Sequence, residues 1–390
     1  MRESERLSQI PLAGIREVFE KAKELEAGGR DIVHLEIGRP DFDTPEAIKE
    51  AASTALDRGF VHYTSNFGID ELRQAVADKL KKENGIDLSY EGIIITGGAS
   101  MALATAIFGL LDPGDEILIP TPAYPAYRKQ ARLAEAHPVP VPLKYESGFS
   151  LEVEELERRS GENTKMLVLN SPHNPTGTAL SRENLERIAE FARRQDIYVL
   201  ADECYEKILF GRTEHHSIAS LPGMQERTLT VNSTSKSYAM TGWRVGFIAG
   251  PPQIISSLIK VPQNISICAT SFAQIGALRA YRKNDEELIG DMIEEINRRR
   301  QLVVEALNRI DLLEFIPPGG ALYVFPRITD TELDSQQVSD YLLEEAGVAV
   351  TPGDDFGRAG RGFIRIALTT DFDRLQMAMD RIGSALDKWS

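Results

Sequence analysis

The chain has 390 residues, 42% of them hydrophobic and 26% charged, which is typical of a globular protein with material for one or two cores. Its net charge of −15 excludes the basic field that nucleic acids and anionic membrane surfaces require in a partner. The first residues, MRESERLSQIPL, lack the apolar core of a signal peptide, and no apolar run approaches the roughly 18 residues of a membrane span, so the sequence predicts a cytoplasmic location.

The predicted elements change in character along the chain. From about residue 11, apolar residues recur at helical spacing up to Gly28 and Gly29, which predicts an amphipathic helix, and the turn-rich stretch IGRPDFDTP follows. From residue 286 onward, a long charged helix, short strands and a closing helix indicate a smaller α+β domain of residues 286–390. The N-terminal segment, residues 1–45, is expected to join that small domain.

The middle of the chain, residues 46–285, alternates short apolar runs with helical patterns. The runs are 93–95, 116–119, 166–169, 197–201, 229–231 and 245–249. Such alternation predicts an α/β large domain with a mostly parallel sheet covered by helices. In open sheets of this kind, ligands bind beyond the carboxyl ends of the strands, so the residues that follow each run are the candidates for a site.

The first run leads through the glycine turn Thr96-Gly97-Gly98-Ala99-Ser100 into an alanine-rich helix. The free N–H groups and positive dipole end of a helix N-terminus attract anions, so this turn is a candidate anion site. A plain glycine turn explains the same residues equally well. Neither G-x-G-x-x-G nor G-x-x-x-x-G-K-[ST] is present, which removes the main support for a dinucleotide or Walker-type site.

Polar residues also follow two of the later runs. The turn-rich segment 170–177 carries two asparagines, Asn170 and Asn174, although an ordinary loop explains it alone. Asp202 and Tyr205 come directly after the run 197–201, at the mouth of a strand that should be buried. Because a buried carboxylate needs a cationic partner, Asp202 is a candidate for binding a positively charged group.

The run 229–231 is followed by hydroxyl groups and a lysine. Ser233, Ser235 and Lys236 come in close succession, and Arg244 lies eight residues beyond the lysine. Hydroxyl groups beside lysine and arginine suit a phosphate. A lone lysine is usually a solvated surface amine, but this one follows a buried strand.

Six segments, in this order, resemble the class I aminotransferases, which are pyridoxal-phosphate enzymes of fold type I in the aspartate aminotransferase superfamily. They are HYTSNFGIDELR (62–73), DPGDEILIPTPAYPAY (112–127), NSPHNPTG (170–177), ADECYE (201–206), SxSKxxxxxxxR (233–244) and GFIRIAL (362–368). The resemblance implies a seven-stranded sheet, pyridoxal 5'-phosphate as cofactor, and transfer of an amino group from an L-amino acid to a 2-oxo acid by a ping-pong mechanism.

The resemblance also implies roles around the cofactor ring. Lys236 corresponds to the lysine that holds the cofactor as a Schiff base and moves the proton, and Asp202 corresponds to the partner of the pyridinium nitrogen. Tyr205 and Asn174 correspond to the donors to the phenolic oxygen of the cofactor. Tyr124 corresponds to the aromatic residue that stacks on the ring.

Further residues are assigned by the same resemblance to the phosphate and the substrate. The implied phosphate ligands are Ser233, Ser235, Arg244 and the backbone amides of Gly98, Ala99 and Ser100. Arg365, Gly38 and Asn174 correspond to residues that bind the α-carboxylate of the substrate. Tyr63 corresponds to a tyrosine that reaches the phosphate of the neighbouring subunit, which implies a homodimer with shared active sites.

The comparison of motifs yields two backbone predictions, cis peptide bonds at Thr121-Pro122 and Asn174-Pro175. No metal is expected, because the six histidines show no ligand spacing such as H-E-x-x-H. The two cysteines, Cys204 and Cys268, are too few for a disulfide framework.

The substrate side chain and the outcome of the reaction stay open at this point. Some related bacterial aspartate enzymes carry a lysine where this chain has Ala99 or Ser100, and Arg39 is a possible substitute unless it pairs with Asp41 or Asp43. Fold type I also hosts elimination, replacement and oxidation. A non-enzymatic sensing domain of a transcription regulator is a third hypothesis, which the short segment before the first core helix disfavours.

Overall fold

The computed structural model describes residues 3–8, 10–11, 14–283, 285–329 and 333–389. Its α-helices are α1 (Glu5–Ser8), α2 (Gly14–Ala27), α3 (Glu46–Asp57), α4 (Asp70–Asn84), α5 (Ala99–Leu110), α6 (Pro125–Leu133), α7 (Val153–Arg159), α8 (Arg182–Arg194), α9 (Thr234–Ser237), α10 (Pro252–Leu258), α11 (Lys260–Ile265), α12 (Ser271–Arg282), α13 (Asp285–Leu307), α14 (Ser335–Tyr341) and α15 (Phe372–Leu386). Its strands are β1 (Val33–His34), β2 (Ile93–Thr96), β3 (Glu116–Thr121), β4 (His137–Pro142), β5 (Thr164–Asn170), β6 (Tyr198–Asp202), β7 (Thr228–Ser233), β8 (Gly246–Ala249), β9 (Leu313–Glu314), β10 (Tyr323–Val324), β11 (Arg327–Ile328), β12 (Val348–Ala349), β13 (Thr351–Pro352) and β14 (Ile364–Ala367).

Seven strands form the main sheet in the order β2-β8-β7-β6-β5-β3-β4. β8 is antiparallel to both of its neighbours, and the other pairings are parallel. Alternate side chains enter opposite layers: Ile94 packs in the cluster that contains Leu103 of α5, whereas Ile93 and Ile95 pack in the cluster that contains Leu72 of α4. The predicted α/β fold, a mostly parallel seven-stranded sheet covered by helices, is confirmed.

Six of the seven strands overlap the predicted runs. The strand that was not predicted is β4, His137–Pro142. Its prolines at every second position, Pro138 and Pro140 among them, argue against a strand in the interior of a sheet. β4 lies at the edge of the sheet, and the residues between the prolines face β3, as shown by the 2.7 Å hydrogen bond from His137 N to Asp115 O. The proline nitrogens therefore fall on the unpaired side, where no donor is needed.

The carboxyl ends of β2, β5, β6 and β7 meet at one edge of the sheet. In register, Asn170 pairs with Asp202, and Gly246 pairs with both Ser233 and Thr96. The segments that follow these strands therefore emerge side by side, as the sequence predicts.

The C-terminal part of the chain forms smaller sheets and the helices that pack against them. β1 pairs in parallel with β12 and thereby ties the N-terminal segment to this part, while β10, β14 and β13 form an antiparallel sheet. α13 and α15 supply its core residues Ile296, Leu375 and Ile382. The domain boundaries at residues 45 and 285 stay a prediction. Within the described ranges, no helix combines the length and apolar character needed to cross a membrane.

Candidate active site

A cavity of about 380 Å³ lies at the carboxyl edge of the main sheet and gathers most of the predicted site residues. Those that line it are Gly38, Ala99, Ser100, Tyr124, Asn174, Asp202, Tyr205, Ser233, Ser235, Lys236, Arg244 and Arg365. Gly98 lies just behind the wall, at the N-cap of α5. A wider cleft of about 870 Å³ beside α15 contains none of the predicted residues, so its size does not make it the candidate.

Tyr63, unlike Gly98, has no place at or next to the wall of this cavity. Its side chain is 80% exposed on this chain. The structure therefore brings together eleven positions from separate segments with Gly38 of the N-terminal segment, and Tyr63 is not among them.

Lys236 is carried on the short helix that follows β7. Ser233, the last residue of β7, caps that helix, because its hydroxyl accepts a 2.9 Å hydrogen bond from Ser235 N. The Lys236 ammonium donates a 2.7 Å hydrogen bond to the carbonyl of Gly38. The lysine amine is thereby held between the main sheet and the N-terminal segment, inside the cavity.

Asp202 ends β6, is buried, and lines the same cavity as Lys236. Tyr127 donates a 2.7 Å hydrogen bond to its Oδ2, and Cys204 N donates a 3.2 Å hydrogen bond to its Oδ1. Burial raises the pKa of the Asp202 carboxyl, because both donors are neutral. The cationic partner that a buried acid requires is not among the described residues, since the structure records no ion pair for Asp202.

The anion-site prediction for the glycine turn gains a second, cationic component. Gly98 has a φ of +87°, and a Cβ there would lie 2.4 Å from Arg244 Nη2, so only glycine allows the guanidinium this close. Arg244 donates to the carbonyls of Gly97 at 3.1 Å and Thr241 at 3.0 Å. The N-terminus of α5 and Arg244 together favour a phosphate site over a plain turn.

Arg365 on β14 is buried on the opposite side of the cavity, with only 3% of its surface exposed. Its Nη1 donates to Asn174 Oδ1 at 3.1 Å, and its Nη2 donates to the carbonyl of Glu36 and, at 3.3 Å, to the hydroxyl of Thr351. Its guanidinium lies 4.3 Å from the ring centre of Tyr323. These contacts hold the guanidinium in place at the wall of the cavity that Lys236 also lines.

Two tyrosines of the site were not predicted. Tyr127 binds Asp202, and Tyr323 lies 2.8 Å, oxygen to oxygen, from Tyr205. Tyr127 was visible in the motif PAYPAY, three residues after Tyr124 on the first turn of α6, a spacing that places both on one face of the helix. Tyr323 sits in a short strand of the C-terminal part, where no local pattern marked it.

The two predicted cis bonds, Thr121-Pro122 and Asn174-Pro175, are confirmed. A third cis bond, Ser171-Pro172, was not predicted.

Behind the Asp202–Tyr205 turn lies a polar cluster that sequence spacing did not reveal. Its members are Lys79, Asn84, Glu203, Glu206, His215 and Ser217. Lys79 donates to Glu206, Asn84 Nδ2 bridges both glutamates at 3.1 and 2.8 Å, and His215 Nε2 lies 3.1 Å from Glu203. Glu203, Glu206 and His215 have metal-ligating atoms within 4.8 Å of one another. Lys79 already balances the carboxylate charge there, so we interpret the cluster as a buried ion-pair network that supports the turn.

This cluster predicts a pH-dependent stability. Burial alone would raise the pKa of Glu206, but the charges of Lys79, His215 and Lys207 lower it to about 2, from an ordinary 4.5. A carboxylate with a depressed folded-state pKa adds stability that is complete above the unfolded pKa and is lost as the pH falls through the folded one. We therefore expect the free energy of unfolding to drop through this group by about 1 kcal/mol between pH 5 and pH 3.5, and by about 3 kcal/mol if the pH falls to 2.

Glu206→Gln should remove that pH dependence and, because Lys79 then stays buried without a counter-charge, lower the free energy of unfolding at pH 7 by about 3 kcal/mol or more. Urea unfolding at pH 7, 5 and 3.5 measures both effects, with the exposed Glu162→Gln as the matched control. An unchanged pH slope in Glu206→Gln would show that the cluster does not carry the effect.

The comparisons with known proteins agree with this geometry. The family model described as aminotransferase class I and II matches residues 30–382. The chain is 45% identical, over 98% of both chains, to an aspartate aminotransferase of Pyrococcus abyssi, and 42% identical, again over 98% of both, to aromatic-amino-acid aminotransferase 2 of Thermococcus litoralis. It is also similar to the solved structure of Thermus thermophilus aspartate aminotransferase with maleate, with a TM-score of 0.93, 37% identity, and coverage of 99% of this chain and 100% of that one.

These matches extend over nearly the whole chain and include both the main sheet and the C-terminal part. The matches do not favour the alternative reactions of fold type I or a non-enzymatic sensing domain. The chain therefore belongs to the class I and II aminotransferases and is a pyridoxal-phosphate-dependent transaminase.

Proposed function

We propose that the cavity around Lys236 exchanges an amino group between an L-amino acid and a 2-oxo acid by a ping-pong mechanism. The observation that carries this proposal is the convergence, in one cavity of about 380 Å³, of a lysine amine, a buried carboxylate and a buried guanidinium. Lys236, Asp202 and Arg365 come from three separate segments, and transamination requires one group of each kind.

The residues present fit pyridoxal phosphate. Asp202 is a buried carboxylate without a cationic partner among the described residues, and a protonated pyridine nitrogen would supply one. The phosphate fits between Arg244, the N-terminus of α5 and the hydroxyls of Ser233 and Ser235. Tyr124 lines the same space and would stack on the ring.

Lys236 is proposed as the group that binds the cofactor and moves the substrate proton. Its Nζ would bond covalently to the cofactor aldehyde and, once the substrate amine displaces it, be free as a base beside the substrate Cα. When bound, the cofactor supplies an electron sink for the pair released from that carbon. Tyr205 and Asn174 would donate hydrogen bonds to the phenolic oxygen of the ring, which fixes the ring over Lys236.

Arg365 is proposed to bind the α-carboxylate of the substrate. Asn174 orients the guanidinium through the 3.1 Å hydrogen bond to Nη1, and Gly38 would add a backbone contact on the same side. A guanidinium fork matches a carboxylate with two parallel hydrogen bonds, so the pair sets the position of Cα relative to Lys236.

A direct experiment tests aminotransfer. The purified holoenzyme is mixed with amino acids one at a time, without any oxo acid, while the absorbance of the bound cofactor is followed. We expect conversion of the cofactor to its amino form with one equivalent of 2-oxo acid, because the first half of a ping-pong reaction stops there. Release of ammonia with the original absorbance restored would instead establish elimination or oxidation.

For the substrate side chain, we propose that Arg39 binds a second carboxylate, as in a dicarboxylic amino acid. Arg39 is exposed at the cavity wall, and the structure records no hydrogen bond or ion pair of its side chain with a described residue. Asp41, one of the two acids named above as alternative partners of Arg39, instead binds Arg299 at 2.7 Å. The Thermus relative is named for aspartate and was solved with maleate, which supports a dicarboxylate.

Arg39→Gln should therefore lower kcat/KM for aspartate about 10- to 100-fold, the value of one charge-assisted hydrogen bond, and leave phenylalanine and alanine within about twofold. Steady-state kinetics with the three donors measures the difference. Equal losses for all three would contradict a contact with the distal carboxylate and leave aminotransfer itself untouched.

We also propose that the functional unit is a homodimer in which Tyr63 reaches the phosphate of the partner's site. Leu56, Val61 and Tyr63 are 44%, 55% and 80% exposed, an apolar segment that a second copy would cover. The dimer and a cytoplasmic location are predictions from the sequence.

A mixed-subunit experiment tests the shared site. Tyr63→Ala should weaken pyridoxal phosphate binding about tenfold, and Lys236→Ala should be inactive. In a mixed dimer, the site that keeps Lys236 receives the native Tyr63 from the Lys236→Ala subunit, so mixing should restore up to about a quarter of wild-type activity at limiting cofactor. No recovery after proven subunit exchange would place Tyr63 outside the shared site.

A further inference from the structure

Tyr323 occupies a position in the site that none of the motifs indicated. It lies on β10, which pairs with β14, the strand that carries Arg365. The side chain is 2% exposed. It is therefore held by the C-terminal part of the chain, although its hydroxyl contacts Tyr205, which follows strand β6 of the main sheet.

Three contacts place this one side chain against three residues of the proposed mechanism. Its hydroxyl lies 2.8 Å from the hydroxyl of Tyr205, and its ring lies 4.3 Å from the guanidinium of Arg365. A Cβ at Gly38 would lie 1.9 Å from the Tyr323 oxygen, so a glycine is required there for the hydroxyl to fit. Tyr323 thus connects the proposed cofactor donor with the proposed carboxylate site.

The direction of the hydroxyl pair follows from what Tyr205 must do. Two phenols that share one hydrogen bond consist of one donor and one acceptor. If the Tyr205 hydroxyl donates a hydrogen bond to the cofactor, the Tyr323 hydroxyl must be the donor in the hydrogen bond between the two tyrosines. A phenol that accepts a hydrogen bond becomes a stronger donor itself, because consecutive hydrogen bonds polarise one another.

The guanidinium over the ring adds a second effect. A cation against the face of Tyr323 stabilises negative charge on its oxygen and makes its hydroxyl a better donor. A substrate carboxylate bound to Arg365 neutralises that cation and weakens the effect. The state of Arg365 is therefore transmitted through Tyr323 to the Tyr205 hydroxyl.

We propose that Tyr323 is a positioning residue that aims the Tyr205 hydroxyl at the cofactor and couples this hydrogen bond to occupancy of the Arg365 carboxylate site. The inference rests on the function proposed above. It assigns Tyr323 no contact with the reacting atoms, since it acts through Tyr205.

Tyr323→Phe in the holoenzyme tests this, because it keeps the ring under Arg365 and removes only the hydroxyl. We expect the apparent pKa read from the absorbance of the Lys236-bound cofactor to rise by about half to one pH unit, because the phenolic oxygen loses part of its donor. We expect kcat to fall about tenfold with little change in KM. Maleate should shift the absorbance titration of the wild type more than that of the variant.

Two further variants separate this role from packing. Tyr341→Phe removes a hydroxyl that donates to Ala385 O at 3.0 Å, far from the cavity, and should titrate like the wild type. Tyr205→Phe and the double variant Tyr205→Phe/Tyr323→Phe should titrate alike, since Tyr323 has nothing to act on without Tyr205. An unchanged titration in Tyr323→Phe, with a wild type that binds the cofactor and transaminates, would overturn the inference alone. A wild type that fails to transaminate would overturn the proposed function instead.

Discussion

Replacing Lys236 with alanine is expected to reduce turnover by about 10⁴-fold or more. In the proposed mechanism the amine both holds the cofactor covalently and takes the substrate proton. The structure gives it a defined place, 2.7 Å from the Gly38 carbonyl. No other lysine lines the cavity among the described residues. No second amine on the described wall can therefore replace it, and water is a poor substitute.

The same variant should still bind pyridoxal phosphate, because the phosphate and ring contacts do not involve the amine. Two measurements separate binding from chemistry: retention of the cofactor after gel filtration, and mass labelling of the 236 peptide after borohydride reduction in the wild type only. Lys82→Ala, at an exposed lysine on α4, is the control and should keep wild-type kinetics. Normal turnover in Lys236→Ala would refute the assignment of the site.

The predicted site residues that line one cavity share one physical reason. Asn174, Asp202 and Lys236 each follow a buried apolar run by a few residues, and parallel strands place such residues along a single edge. A local pattern is then enough to predict a common site, since the sheet supplies the proximity. The resemblance added the roles, which the pattern alone could not assign.

The residues that were missed depend on contacts between distant parts of the chain. Tyr205 and Tyr323 are 118 positions apart, and Lys79 and Glu206 are 127 apart. Neither pair has a characteristic spacing, so packing of the C-terminal part and of α4 decides them. Tyr63 differs again, because its predicted partner belongs to a second chain.

β4 is not among the predicted runs, and its sequence disfavours a strand unless the tertiary context is known. Prolines disfavour an interior strand, but Pro138 and Pro140 lie on the outer side of an edge strand and lose no hydrogen bond. Only the order of strands in the sheet, which no local window contains, makes a strand at these residues favourable.

Arg365→Lys is expected to lower kcat/KM about 100- to 1,000-fold, although it conserves the charge. The guanidinium uses Nη1 for Asn174 and Nη2 for the Glu36 carbonyl and Thr351, and only a planar fork holds these partners and a carboxylate together. A lysine ammonium reaches fewer of them and leaves buried acceptors unpaired. Loss of one partner from a buried charged pair of this kind corresponds to about 3 to 4 kcal/mol.

The loss in Arg365→Lys should appear in both kcat and KM, because the fork is proposed both to bind the substrate and to orient its Cα toward Lys236. Steady-state kinetics gives both, and the exposed Arg361→Lys, four residues earlier, is the control with no expected change. Inhibition by maleate should weaken in parallel with KM, since a dicarboxylate would use the same fork. If Arg365→Lys retained kcat/KM within threefold, the α-carboxylate would have to bind elsewhere. Arg39, at the wall of the same cavity, would then be the next residue to test.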